Sequence, residues 1–221
     1  QINGEKIFIS GGDQDLSDGI FHLVLARTGD ADSGVKGLSL FACLSDLPDG
    51  GRNAITVTRI EEKMGLHASP TCQMAFDGAK AELIGDEGAG LKAMFTMMNH
   101  ARIDVSLQGV AHVTRAHDIA RTYCAERQQG RGADGAPVTL DRHPDVRNML
   151  DEMRALSLLG RGICHLAVVE LEKGDDPALV DFLTPIAKHF CTEAASRAAD
   201  LAIQCLGGYG YLKEYRVEQV W

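Results

Sequence analysis

The apolar period of this chain changes once, between Gly85 and Gly88, and that change constrains the fold more than any other feature. Before it, β-branched and aromatic residues come in short blocks: Lys6 to Ser10, Ile20 to Ala26, Leu38 to Leu44, Ile55 to Ile60 and Thr71 to Phe76. Turn text such as Gly11-Gly12-Asp13, Asp30 to Gly37 and Asp46 to Gly51 separates them. That spacing predicts an antiparallel sheet or small barrel. After the change the period lengthens to that of a helix. Leu91, Met94, Phe95, Met98, Arg102 and Val105 share one face of a first helix, ended by a Gly-rich loop from Gln128 to Pro137. A second helix carries Val146, Met149, Leu150, Met153, Leu156 and Ile163 and closes at Gly174; a third carries Leu179, Phe182, Ile186, Phe190, Leu201 and Cys205. Pro185 is expected to kink or restart that third helix, because it lacks the N–H and clashes with the preceding turn. Gly207-Gly208 is expected to end it as a left-handed cap. The predicted class is α+β: an antiparallel β domain over residues 1–85, then a helical bundle over 86–221.

Charge and cysteine usage narrow the partners. Lys plus Arg number 22 against 31 Asp plus Glu, a net charge of −9, so no counterion release would drive binding to nucleic acid. No apolar run approaches the roughly 18–20 residues of a membrane span, and the first residues are polar and strand-like rather than a signal peptide. Neither a nucleic-acid nor a membrane partner is expected. The six cysteines (Cys43, Cys72, Cys124, Cys164, Cys191, Cys205) form no Cys-x-x-Cys pair, which excludes a zinc ribbon or thioredoxin-type motif. Most sit among apolar neighbours, as reduced thiols of a cytoplasmic protein do. A chain that opens on Gln1 and stops at Trp221 inside an amphipathic stretch reads as a piece of a longer protein.

Few residues suggest chemistry on their own. Gly130, Gly132 and Gly135 are spaced as G-x-G-x-x-G, but a helix precedes them and Ala136-Pro137-Val138 follows, so they read as a plain flexible loop. His112 and His117 are five apart and share no helical face as metal ligands. The Met94 to Met98 stretch reads as core, with an adaptable wall for a long flat ligand as the alternative. Arg127 closes the first long helix, where a cation complements the dipole; it also stands beside the Gly-rich loop, where a guanidinium could grip a diphosphate. Gln204 one turn before Gly207-Gly208 reads in the same two ways, as a helix end or as an anion site with accessible backbone.

Four stretches taken in order resemble the flavin-dependent acyl-CoA dehydrogenases: Asn3 to Gly12, Lys63-Met64-Gly65-Leu66, Ala125 to Gly130, and Gln204 to Tyr211. The Ser10 to Leu16 and Leu66 to Cys72 runs are most similar to the longer bacterial branch that includes 3-methylmercaptopropionyl-CoA dehydrogenase-like enzymes. The resemblance implies the family's middle β domain followed by an incomplete four-helix bundle: three helices and the start of a fourth. It implies FAD, an acyl-CoA substrate oxidised to a trans-2-enoyl-CoA in fatty acid metabolism, an electron-transfer flavoprotein as acceptor, and a homo-oligomer, dimer or tetramer. By position, Phe8 and Ser10 fall beside the flavin ring, with Phe8 where tryptophan is common. Arg127, Gln129, Gln204, Gly207 and Gly208 fall on contacts to the FAD diphosphate of a neighbouring copy. His143 falls on a further such position, with Pro144 after it where many relatives carry glutamine. Asn99 and Arg102 fall on the segment lining the thioester and pantetheine. The catalytic glutamate is expected beyond Trp221, because Ala101 occupies the other position some branches use; residues 1–221 alone are therefore expected to be inactive. An acyl-CoA oxidase-like enzyme and a non-catalytic scaffold of the same fold are the alternatives.

Overall fold

The structure, a computed structural model, describes all 221 residues; six strands come first, the last of them ending at Ile84, and the first α-helix opens at Gly90. Two units result, residues 1–97 and 98–221. The division falls later than the change of apolar period because the first helical turn is tied to the strands. The Gly88 N–H donates to Ser39 Oγ at 2.8 Å, and any side chain at Gly90 would collide with the backbone of Ser39 and Leu40.

The first unit holds six strands: β1 (Ile2–Ser10), β2 (Phe21–Arg27), β3 (Leu38–Leu44), β4 (Ile55–Ile60), β5 (Thr71–Ala79) and β6 (Glu82–Ile84). They form two antiparallel three-stranded sheets, β1-β5-β4 and β2-β3-β6. Alternation along each strand turns one side chain in two inward. Val24 and Cys43 of one sheet meet Ile2, Ile55, Cys72, Met74 and Phe76 of the other in a single core. The short β6 has no counterpart among the predicted blocks.

The second unit is built from α1 (Gly90–Glu126), which begins in the first unit, a hairpin of β7 (Gln128–Arg131) and β8 (Pro137–Thr139), α2 (Pro144–Lys173) and α3 (Pro177–Leu206). Its core is made largely of small residues. Val113, Ala116, Ala120 and Cys124 of α1 meet Met153 of α2 and a run from Ala194 to Leu206 on α3, closed off by Val217 and Val220. Glycines let the helices approach: a Cβ at Gly109 would stand 2.6 Å from the Cys191 carbonyl oxygen, and one at Gly160 would stand 2.9 Å from a Val110 methyl. No helix is long and apolar enough to cross a membrane.

Several sequence expectations are corrected here. Phe95, Met97 and Met98 are exposed rather than core, and α1 buries Ile103, Ser106, Val110 and Val113 instead. On α3, Phe182 and Ile186 lie outside while Leu183, Ala187 and Cys191 face in. In both cases small residues such as Ser106, Ala187 and Cys191 share the seam, and reading the face from the largest residues selects the wrong side. The Gly-rich segment is a paired hairpin, not an open loop; Gln128 opposes Thr139 and Arg131 opposes Pro137. α3 does not restart at Pro185 but continues as one helix through it, because burial of Leu183, Thr184 and Ala187 on either side carries the turn across the lost bond. Gly174 closes α2 as expected and is left-handed (φ 68°, ψ 9°), whereas Gly207, expected to be the left-handed cap of α3, has φ 59° but ψ −134°. From Gly207 the chain enters two 3-10 turns, Gly207–Tyr211 and Lys213–Tyr215, in place of the start of a fourth helix.

Candidate functional site

The Arg127 backbone is fixed at both ends. Its N–H donates to the Tyr123 carbonyl and its own carbonyl accepts from Leu140 N, each at 2.9 Å, which pins the end of α1 to the segment leaving β8. Two residues on, Gln129 in β7 is held by His143, whose Nε2 donates to the Gln129 carbonyl at 2.7 Å. The imidazole stands against Gly130, where a Cβ would come within 3.2 Å of His143 Cε1. From the other side, Gln204 projects from the last turn of α3, and Gly207 and Gly208 follow with open space where side chains would be. The Gly207 N–H closes α3 on the Gln204 carbonyl, so this glycine supplies access rather than a free donor.

Arg127, Gln129, Gln204 and the two glycines share one cavity of about 490 Å³. Arg127, Gln129, Gln204, Gly207 and Gly208 form its polar side, and Tyr123, Tyr209, Leu140, Val146 and Leu212 its apolar side. Tyr123 meets Tyr209 and Tyr215 edge-on, and those two are tilted against each other, with ring centroids 5.2–6.0 Å apart. Burial, followed by the Glu214 carboxylate, raises the Tyr215 phenol above its ordinary pKa, with Arg127 opposing. The Cys205 thiol at the cavity wall is pushed up by its neighbour Cys124 and by burial, so it presents no thiolate. The Arg127 guanidinium has no ion pair within the chain. An unpaired guanidinium and two free amides around an open glycine backbone make a site for a diphosphate-like anion.

The remaining expected site residues lie elsewhere. His143 bonds the Gln129 carbonyl and is not among the residues lining the cavity. Phe8 and Ser10 belong to the first unit, on β1. The β1–β5 register slips between Lys6 and Ile9, and Phe8 takes φ 61° there and is 70% exposed. A φ of 61° lies in the left-handed region that a non-glycine side chain rarely adopts, so the bulge holds Phe8 in a strained backbone conformation. Asn99 and Arg102 lie on α1 and are bonded to each other, Arg102 Nη1 donating to Asn99 Oδ1 at 3.2 Å. Asn99 Nδ2 donates to Asp181 Oδ1 on α3 at 2.8 Å; nothing in the local sequence marks Asp181, 82 residues away. Ala101 is exposed and offers no proton acceptor. His112 faces the Val220 carbonyl and His117 faces Asp118, in separate places.

Comparison with known proteins gives a consistent result. The family model described as acyl-CoA dehydrogenase, C-terminal domain, matches residues 88–221. The chain is 42% identical to 3-methylmercaptopropionyl-CoA dehydrogenase of Ruegeria pomeroyi, a match covering 100% of this chain and 40% of that protein. Among solved structures it is similar to butyryl-CoA dehydrogenase of Megasphaera elsdenii, with TM-score 0.83 and 28% identity over 99% of this chain and 53% of that one. It is also similar to a chain in a structure of the electron transferring flavoprotein of Acidaminococcus fermentans, with TM-score 0.84 and 28% identity over 99% and 53% of the two chains. The chain thus spans 40% of the Ruegeria protein and about half of each solved chain.

Proposed function

The chain belongs to the acyl-CoA dehydrogenase family, and we propose that the protein carrying it is an FAD-dependent dehydrogenase that converts a saturated acyl-CoA to its trans-2-enoyl-CoA. The observation that carries this reading is the convergence of Arg127, Gln129, Gln204 and Gly207-Gly208 on one cavity with the guanidinium unpaired. Those residues fit the FAD diphosphate: a fork donor and two amides for its oxygens, and backbone without side chains where it must come close. The apolar tyrosine-lined side fits the remainder of a nucleotide. When bound, FAD supplies the acceptor for the β hydride. Arg127 would hold the diphosphate charge, Phe8 would offer a ring face to the flavin, and Ser10 a hydroxyl. Asn99 and Arg102 would bind the acyl-CoA. Ala101 cannot take the α proton, so the reading assigns that step to a carboxylate outside residues 1–221.

The reading includes a homo-oligomer, in which the diphosphate residues of one copy serve the FAD of another, and an electron-transfer flavoprotein as the electron acceptor. The six free, buried cysteines support a reducing, cytoplasmic setting. The test is to purify the whole protein, identify the flavin released on denaturation, and add saturated acyl-CoAs anaerobically. FAD in near-stoichiometric amount, bleached with formation of enoyl-CoA, is the expected result. A protein without flavin, or a flavin that no saturated acyl-CoA reduces, would overturn the reading.

A further inference from the structure

Both ends of the Asn99 amide are engaged, and the two partners are of opposite kind. Its Nδ2 donates to Asp181 Oδ1 at 2.8 Å, while its Oδ1 accepts from Arg102 Nη1 at 3.2 Å. A carboxylate only accepts and a guanidinium only donates, so an amide between them is satisfied in one orientation alone. Asn99 and Arg102 lie one turn apart on α1, and Asp181 lies in the early turns of α3. Beneath them, buried Ser106 donates its Oγ to the Arg102 carbonyl at 2.6 Å and fixes the backbone there. The backbone at Arg102 is therefore anchored from below, and one contact of its guanidinium is an amide whose sense a carboxylate determines.

We propose that Asp181 is a positioning residue for acyl-CoA binding, setting the Arg102 guanidinium through Asn99. The proposal rests on the reading of Arg102 as a residue that faces the acyl-CoA. Asp181 is exposed and contributes nothing to the cores, so its carboxylate can be altered without opening a cavity. Asp181→Asn is isosteric but no longer purely an acceptor. It lets the Asn99 amide reverse and turn its NH2 toward the guanidinium, donor against donor.

The test uses the FAD-loaded whole protein, with binding of a non-oxidisable acyl-CoA thioether followed by calorimetry alongside steady-state kinetics. Asp181→Asn is expected to raise the Kd of the thioether and the KM of the acyl-CoA about 3- to 10-fold, the loss of one neutral hydrogen bond's worth of orientation. The loss should fall on KM rather than kcat, and Asp181→Glu should restore most of it. In an Arg102→Gln background the further effect of Asp181→Asn should vanish. Full additivity of the two substitutions, or an unchanged Kd in Asp181→Asn while Arg102→Gln weakens binding, would overturn the positioning role alone. An unchanged Kd in Arg102→Gln would overturn the acyl-CoA reading of Arg102 and the proposal with it.

Discussion

Replacing Arg127 with alanine separates the two roles its sequence position suggests. In the structure its guanidinium has no ion pair within the chain, and its contribution to the fold is made by backbone bonds to Tyr123 and Leu140 that alanine retains. Removing the side chain therefore leaves no orphaned carboxylate, and the apoprotein should lose no more than about 0.5 kcal/mol. If the guanidinium holds a diphosphate, one charge-assisted hydrogen bond worth roughly 1.5–3 kcal/mol disappears. At about 1.4 kcal/mol per decade, that weakens FAD binding by roughly 10- to 150-fold. Arg127→Lys, which keeps the charge but not the fork, should fall between. The assay is titration of apoprotein with FAD, followed by quenching of flavin fluorescence, beside thermal unfolding of the same apoprotein. An FAD affinity within twofold of the unaltered protein, with a lowered unfolding temperature, would show that Arg127 serves only the helix end.

Three further outcomes follow from the packing. Gly109→Ala should destabilise by roughly 1–2 kcal/mol in denaturant titrations, because its Cβ would meet the Cys191 carbonyl oxygen at 2.6 Å; that clash outweighs the helix-propensity gain of about 1 kcal/mol, and a stabilised variant would contradict the close approach of α1 and α3. Burial, and then the neighbouring Cys164, push the Cys191 thiol to about 12, so iodoacetamide at mildly alkaline pH should label it only after unfolding; rapid native labelling would contradict this. Hydrogen bonds from Arg197 hold the Glu152 carboxyl below its usual range, with Nε to Oε1 at 2.7 Å, but both side chains are about half exposed and the pair should contribute less than about 1 kcal/mol. A depressed carboxylate stabilises above its ordinary pKa, so the deficit of Glu152→Gln should be present at neutral pH and shrink as pH falls below about 4.3; a deficit that grows on acidification would contradict the pairing.

What the sequence reveals and what it hides follow from how each contact is made. The five strand blocks and the Gly174 cap are legible because β-branched runs and a left-handed glycine carry their own signal. Arg127, Gln204 and the double glycine stand out by residue type beside a loop and a helix end, Gln129 only through the resemblance, and the structure gathers all of them around one cavity. The buried faces of α1 and α3 are not, because Ala116, Ala120, Ala194 and Ala198 pack the seam with little hydropathy contrast. The β7–β8 hairpin pairs exposed polar residues and so has no apolar alternation to betray it. No residue type announces the left-handed backbone at Phe8. Asp181 reaches Asn99 only through the packing of α3 on α1.

The claim that the cavity of the second unit receives the FAD diphosphate is tested most directly by amide hydrogen exchange on the whole protein, with and without FAD. The account predicts slowed exchange on FAD binding in two separated stretches, residues 127–131 at the hairpin and 204–209 at the end of α3, together with residues 7–11 on β1. The Arg127→Ala protein should lose the protection in the first two stretches at the same FAD concentration. Protection on FAD binding that spares both 127–131 and 204–209 would contradict the account.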